Sequence, residues 1–154
     1  MKYSNQSGFT YLAALLLIVV MGIVLGSIGQ VWSTALQREK EKELLFIGHQ
    51  FRQAIGRYYQ KSPGTDKKYP SALDDLLKDE RQAATLRHLR KIYHDPMTGK
   101  AEWALVIVNG GITGVYSKSQ ATPLKSSNFS LADKKFEDSE NYGDWKFVYT
   151  PNAP

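Results

Sequence analysis

Five acidic residues near the C-terminal end of the chain form the set best suited to hold a metal ion. Carboxylate oxygens at short spacing in a loop are the ligands that Ca²⁺ prefers. The alternative is an acidic loop that is merely solvated, since the spacing is not that of an EF-hand. The predicted calcium ligands are Asp133, Glu137, Asp138, Glu140 and Asp144.

The other residue types that commonly form catalytic or metal sites are either absent from the chain or not clustered in the sequence. The chain has no cysteine, which excludes disulfides, thiolate metal sites and cysteine nucleophiles. His88, His94 and Asp95 lack the clustered spacing of a metal site, and His94 is expected at the C-terminal end of a helix, where a cation is favourable. No serine lies in a Gly-x-Ser-x-Gly motif, and no phosphate-binding glycine loop is present. We therefore expect no catalytic residue and no enzymatic activity.

Length and charge suit one compact, polar domain. The chain has 154 residues, a net charge of +5 and a mean hydropathy of −0.38. The basic residues between positions 81 and 91 are expected on a solvated helix face, with contact to an acidic neighbour or to DNA as the alternatives. No nucleic acid is expected among the partners.

An uncharged apolar run of 20 residues occupies positions 9–28, directly after a short polar leader, MKYSNQSG. About 20 helical residues cross the ~30 Å hydrocarbon core of a bilayer. A secretory signal peptide cut late, near Ala35, is one reading, although the run is long for it. An ordinary signal anchor is another.

The junction between Gly8 and Phe9, with the apolar run starting at once, resembles the signal of type IV pilins and type II secretion pseudopilins. That resemblance implies cleavage by prepilin peptidase after Gly8, methylation of Phe9, and retention of the apolar helix by the mature protein. The family usually carries Glu at the fifth position after the cut, where this chain has Ala13. The departure argues more against a major, many-copy subunit than against membership.

The helix is predicted to continue beyond the apolar run because no proline occurs before Pro63. Residues 9–29 form its transmembrane or filament-core half, and residues 30–61 its amphipathic half. One face of the second half carries Leu44, Ile47, Phe51, Ile55, Tyr58 and Tyr59. The predicted surface for helix assembly comprises Phe9, Leu12, Leu16, Val20, Gly22 and Gly26, the two glycines permitting close helix contact.

Residues 62–154 are predicted to form a globular domain of short helices and an antiparallel sheet. Helical segments are expected at residues 71–80, with Ser71 as N-cap, and at residues 84–93. A turn follows at 95–99. Strands are expected at 102–108, 112–117 and 144–149, the first two joined by Asn109-Gly110-Gly111 as a hairpin. The predicted class is α+β, with the long helix packed on a small sheet.

Three motifs are similar to the soluble domain of pseudopilins related to the major subunit of type II secretion: YP-x-x-L-x-x-L at residues 69–76, LRKIYHDPMTG at residues 89–99, and EWALV…GGITGVYSKS…P at residues 102–123. The resemblance implies a pilin-like structural subunit of a secretion or pilus system, single-pass in the bacterial inner membrane, with its globular domain in the periplasm. Inner-membrane lipid, prepilin peptidase, other pseudopilin subunits and the assembly platform are the implied partners. The alternative is a singly anchored periplasmic binding module that does not polymerise.

Overall fold

The computed structural model describes the backbone of residues 7–151 and the side chains of residues 9–23 and 32–151. Its elements are the helix α1 (Ser7–Gln60), the strands β1 (Ala104–Val108), β2 (Gly111–Tyr116) and β3 (Phe147–Val148), and three short 3-10 turns. Two compact units are present, Met1–Gln37 and Arg38–Pro154. The class is α+β, as predicted. Apart from Ser7 and Gly8, the predicted leader at residues 1–8 lies outside the described residues.

Residues Ser7–Gln60 are all helical, which confirms that the helix continues beyond the apolar run. It ends at Gln60, one residue before the predicted end, and Lys61 N still donates to Arg57 O at 3.0 Å. The Ser62 hydroxyl then donates a hydrogen bond to the free carbonyl of Tyr58 at the helix end, and Pro63 follows. Over the described residues, no helix stays apolar for the length that a membrane crossing would need.

The core of the second unit lies between one face of α1 and the sheet. The predicted apolar face of α1 is confirmed, because five of its six members are buried and Tyr59 is half-buried. Each such side chain stabilises the fold by roughly 1.5–3 kcal/mol on full burial. The aromatic side chains packed against that face are Trp103, Phe136, Tyr142, Trp145 and Phe147.

The sheet is antiparallel, in the order β1-β2-β3. The predicted hairpin is confirmed, since Asn109 (φ 51°) and Gly110 (φ 77°) both have the positive φ of a tight two-residue turn. Strand β3 is shorter than the predicted 144–149 because Tyr142–Asp144 forms a 3-10 turn. Phe147 packs directly on α1 at Gly48, where an added Cβ would lie 2.4 Å from the ring.

The two predicted short helices are corrected. Only Leu73–Leu76 is helical in the first, as a 3-10 turn, and its N-cap is Ala72 rather than Ser71. The Asp75 carboxylate accepts the backbone N–H groups of Ser71 and Ala72, at 2.9 and 3.0 Å, and so closes that turn.

Residues 84–93 contain no α-helix. Leu86 instead forms an antiparallel bridge with Asp79, and the N–H groups of His88 and Leu89 both donate to Leu76 O at 2.9 Å. These tertiary hydrogen bonds outweigh the helical spacing of the leucines. The placement of His94 at a helix end was therefore wrong, and its side chain is exposed.

Candidate assembly surface and buried loop anchors

The first unit carries a helix surface of large apolar side chains that nothing in the described structure covers. Their exposed fractions run from 43% at Leu15 to 78% at Phe9. Soluble monomers rarely expose contiguous apolar patches beyond a few hundred Å². The exposed side chains, called the apolar segment below, are Phe9, Tyr11, Leu12, Leu15, Leu16, Leu17, Ile18, Val19, Val20, Met21 and Ile23. Large exposed apolar patches in general mark sites of contact with another protein or with a membrane.

The residues predicted for helix assembly lie within this segment as far as the structure describes them. Phe9, Leu12, Leu16 and Val20 follow at spacings of three and four, so they share one helix face, and each is at least half exposed. Gly22 has open space around it, because an added Cβ would meet no atom within 4 Å. The surroundings of Gly8 and Gly26 lie outside the described side chains.

Glu41 departs from the predicted solvated face of α1. Its neighbours from Arg38 to Glu43 are exposed, whereas Glu41 is buried. Its Oε1 accepts hydrogen bonds from the Tyr142 hydroxyl at 2.9 Å and from the N–H groups of Leu124 and Lys125 at 2.6 and 3.2 Å. A buried carboxylate is tolerated only with such donors. Glu41 therefore ties two parts of the C-terminal loop, residues 118–146, to the helix.

Asp133 makes a second tie between that loop and α1. It is buried, and its carboxylate faces His49 Nε2 at 2.6 Å, Arg52 Nη2 at 2.8 Å and the Ser130 hydroxyl at 2.7 Å. Burial alone would raise the pKa of Asp133. The hydrogen bonds from His49, Ser130 and Arg52, with the charge of Arg52, outweigh burial and lower that pKa to about 2.

The predicted calcium ligands are not brought together. Among the described residues there is no group of three or more His, Asp or Glu side chains that could hold a metal ion. Asp133 is occupied by side chains of α1 and Ser130, while Asp138, Glu140 and Asp144 are exposed. Of the five predicted positions, all of which the structure describes, Asp133 alone is bonded to helix side chains, those of His49 and Arg52.

The Ser130, Asp133 and His49 side chains do not have the geometry of an activated nucleophile. In such a site the histidine lies between the hydroxyl and the carboxylate. In this protein the carboxylate lies in the middle, and both Ser130 Oγ and His49 Nε2 bond to it. The arrangement is that of a structural anchor.

Stability should fall in acid through Asp133. Its pKa in the folded chain lies below the ordinary 3.8, so its ionised form favours folding above about pH 4, and that contribution disappears as the pH drops towards 2. The difference corresponds to about 2 kcal/mol. We expect urea unfolding of the full chain in detergent to give Asp133→Asn a deficit of about 2 kcal/mol at pH 7, shrinking below about 1 kcal/mol at pH 2.5. An equal deficit at both pH values would contradict this assignment.

Asp79, Arg81 and His88 form a third polar cluster, next to the C-terminal end of α1. Arg81 donates to both oxygens of Asp79 at 2.8 Å and also to the carbonyl of Tyr58, while His88 Nε2 lies 3.0 Å from Asp79 Oδ2. These hydrogen bonds, above all those of Arg81, hold the pKa of Asp79 well below its usual range. The expected solvated face is therefore wrong for Arg81, whose side chain is largely buried against Asp79.

Asp95 is a fourth buried carboxylate, in the turn at residues 95–99. It accepts hydrogen bonds from Met97 N at 2.9 Å, the Thr98 hydroxyl at 3.1 Å and the Ser117 hydroxyl at 2.7 Å. The turn is confirmed, with Gly99 at φ 72°. Ser117 follows β2 directly, so Asp95 joins two sequence motifs that are separate along the chain.

Sequence reasoning missed the roles of Glu41, Asp79, Asp95 and Asp133. Glu41 on α1 bonds to the C-terminal loop, and Asp133 in that loop bonds to α1. In both cases the bonded residues are more than 80 positions apart in the sequence, so no local pattern indicates these contacts. The spacing of Asp79 and Arg81, two residues apart, is a local pattern from which their ion pair could have been predicted. Comparison of the chain with family models, curated proteins and solved structures finds no match.

Proposed function

We propose that the chain is a structural, pilin-like subunit that inserts in the bacterial inner membrane and assembles with other subunits through the apolar segment of α1. One observation carries the proposal: large apolar side chains around all sides of residues 9–23 remain exposed. A helix that served only its own domain would need one apolar face, as the second half of α1 has. Apolar surface on every side suits a helix surrounded by lipid or by other helices.

In the proposed mechanism, contacts between the apolar segment and lipid are replaced by contacts between the apolar segment and neighbouring subunits. In the membrane, acyl chains cover the apolar segment, and in the assembly, helices of neighbouring subunits cover it. Apolar surface is then never transferred into water, a transfer that would cost about 25 cal/mol per Å². The exchange is therefore close to neutral in free energy, and packing at small residues such as Gly22 adjusts how close helices come.

Membrane insertion is supported by the sequence of the apolar segment and of the residues that follow it. No charged residue occurs from Phe9 to Gln37, and the uninterrupted apolar run extends to Ile28. The side chains of residues 24–31 lie outside the described ones. The proposal places the globular unit in the periplasm and the short leader in the cytoplasm, with the assembly platform and other pseudopilins as partners in protein secretion.

Processing after Gly8 tests this function. We expect that co-expression with prepilin peptidase removes residues 1–8 and leaves an N-methylated Phe9, as read from the intact mass and the N-terminal peptide. Gly8→Leu should abolish the cut, because the peptidase would meet a side chain where the signal of this family has none. His94→Ala, an exposed site in the second unit, is the matched control and should be processed and assembled normally.

Two outcomes would overturn the proposal. An intact Met1 in the presence of active peptidase would favour the singly anchored periplasmic module instead. A mature chain beginning near Ala35 would show that the apolar segment is discarded as a signal peptide, so it could not act in assembly.

A further inference from the structure

Two exposed aromatic side chains bracket the apolar half of α1. Tyr11 is 67% exposed near its start, and Trp32 is 69% exposed near its end. Both have an apolar ring and a polar group, the combination that concentrates at the boundary between hydrocarbon and headgroups. The other two tryptophans, Trp103 and Trp145, are buried in the globular unit. The exposure of Trp32 is therefore not a general property of tryptophan in this chain.

The spacing of the two aromatic residues matches the thickness of a bilayer. Tyr11 and Trp32 are 21 residues apart on one continuous helix, or about 32 Å at 1.5 Å per residue. The hydrocarbon core is about 30 Å thick. Arg38, the first charged residue after the run, follows Trp32 by six residues along the chain.

We infer that Tyr11 and Trp32 are paired interfacial anchors that bind the phospholipid headgroup layers on the two sides of the membrane. They fix the depth of α1 while the subunit waits in lipid. The charged stretch from Arg38 to Glu43 then lies in water, where its side chains other than Glu41 are exposed. This inference rests on the proposed membrane insertion and deepens it, because it names the lipid region that each end of the helix contacts.

Fluorescence quenching by brominated lipid tests the inference on the full chain. The chain is reconstituted in phosphatidylcholine and phosphatidylglycerol vesicles whose acyl chains are brominated either close to the headgroup or close to the chain end. Subtracting the signal of Trp32→Phe from that of the wild type isolates Trp32 from the two buried tryptophans. We expect shallow bromine to quench this component at least about twofold more than deep bromine, as for an interfacial indole.

Transplanted tryptophans provide matched controls in the Trp32→Phe background. Tyr11→Trp should show the same shallow quenching as Trp32. Val19→Trp should show the opposite preference, because position 19 lies about 12 Å along the helix from Tyr11, near the bilayer centre. Leu36→Trp should lose lipid quenching and gain quenching by aqueous acrylamide, since it lies about 6 Å further out than Trp32.

The outcomes separate this inference from the proposed function. If the chain floats with the vesicles and is cut after Gly8, but Trp32 responds only to acrylamide or more strongly to deep bromine, the anchor assignment fails and the proposed function stands. If the chain does not float with the vesicles, membrane insertion itself fails, and the anchor assignment fails with it. Shallow quenching at both Trp32 and a transplanted position 11 supports the pair.

Discussion

Leu16→Lys is expected to abolish assembly while leaving the globular unit folded. Leu16 is 66% exposed in the middle of the apolar segment, so the substitution disturbs no packing within the chain. A lysine at the centre of a membrane helix costs about 2.5–3.5 kcal/mol on insertion scales, and this range is the upper limit at Leu16, which lies about 8 Å along the helix from Tyr11. In an assembly the penalty recurs for every copy, because each ammonium group would face an apolar neighbour without a counter-charge. Sedimentation of detergent-treated membranes measures the assembled fraction.

Leu16→Met and Glu39→Lys are the controls for this prediction. Methionine keeps the volume and apolarity of Leu16, so assembly should be unchanged. Glu39→Lys places the same ammonium group at an exposed position of the second unit, with a net charge change of +2 against +1 for Leu16→Lys, and should also assemble. If Leu16→Lys assembled as well as these two variants, the apolar segment would not be the assembly surface.

Asp79→Ala is expected to destabilise the globular unit by about 3 kcal/mol. The Asp79 side chain is 1% exposed, and its removal leaves the Arg81 guanidinium and the buried His88 without their partner. Breaking a buried ion pair from one side costs about 3–5 kcal/mol. The lower value applies because Arg81 retains some contact with water and still donates to the Tyr58 carbonyl.

Urea unfolding of the full chain in detergent, followed by circular dichroism, measures this loss. Asp74→Ala is the matched control, because Asp74 is exposed in the same 3-10 turn, and it should change stability by no more than about 0.5 kcal/mol. Asp79→Asn retains a hydrogen-bond acceptor and should fall between the two. Equal stabilities of Asp79→Ala and Asp74→Ala would show that Arg81 and His88 do not depend on Asp79.

The parts of the fold that local pattern determines were predictable. The helical spacing of Leu44, Ile47 and Phe51 identified the buried face of α1, because a helix of this length has one face towards the sheet. The Asn109-Gly110 pair identified the hairpin, because positive φ at both positions selects those residues.

The remainder depends on contacts between distant residues. The leucines at 86 and 89 have helical spacing, but their segment is extended because Leu76 O accepts the N–H groups of His88 and Leu89. The acidic composition of the loop predicts Asp133 as a calcium ligand. Its actual partners, His49 and Arg52, come from α1, more than 80 residues earlier. The composition of a loop gives its charge, but it does not show which distant side chains will contact that loop in the fold.

Cross-linking of α1 to a second copy is the most direct test of assembly through the apolar segment. The chain has no cysteine, so single cysteines introduced in turn at Leu12, Leu16 and Val20 report only on their own positions. A disulfide forms only when the two Cα atoms come within about 4.4–6.8 Å. Under oxidation in co-expressed membranes, we expect covalent dimers at one or more of these positions and none at an exposed cysteine in place of Thr65. Monomers alone at all three helix positions would contradict the account.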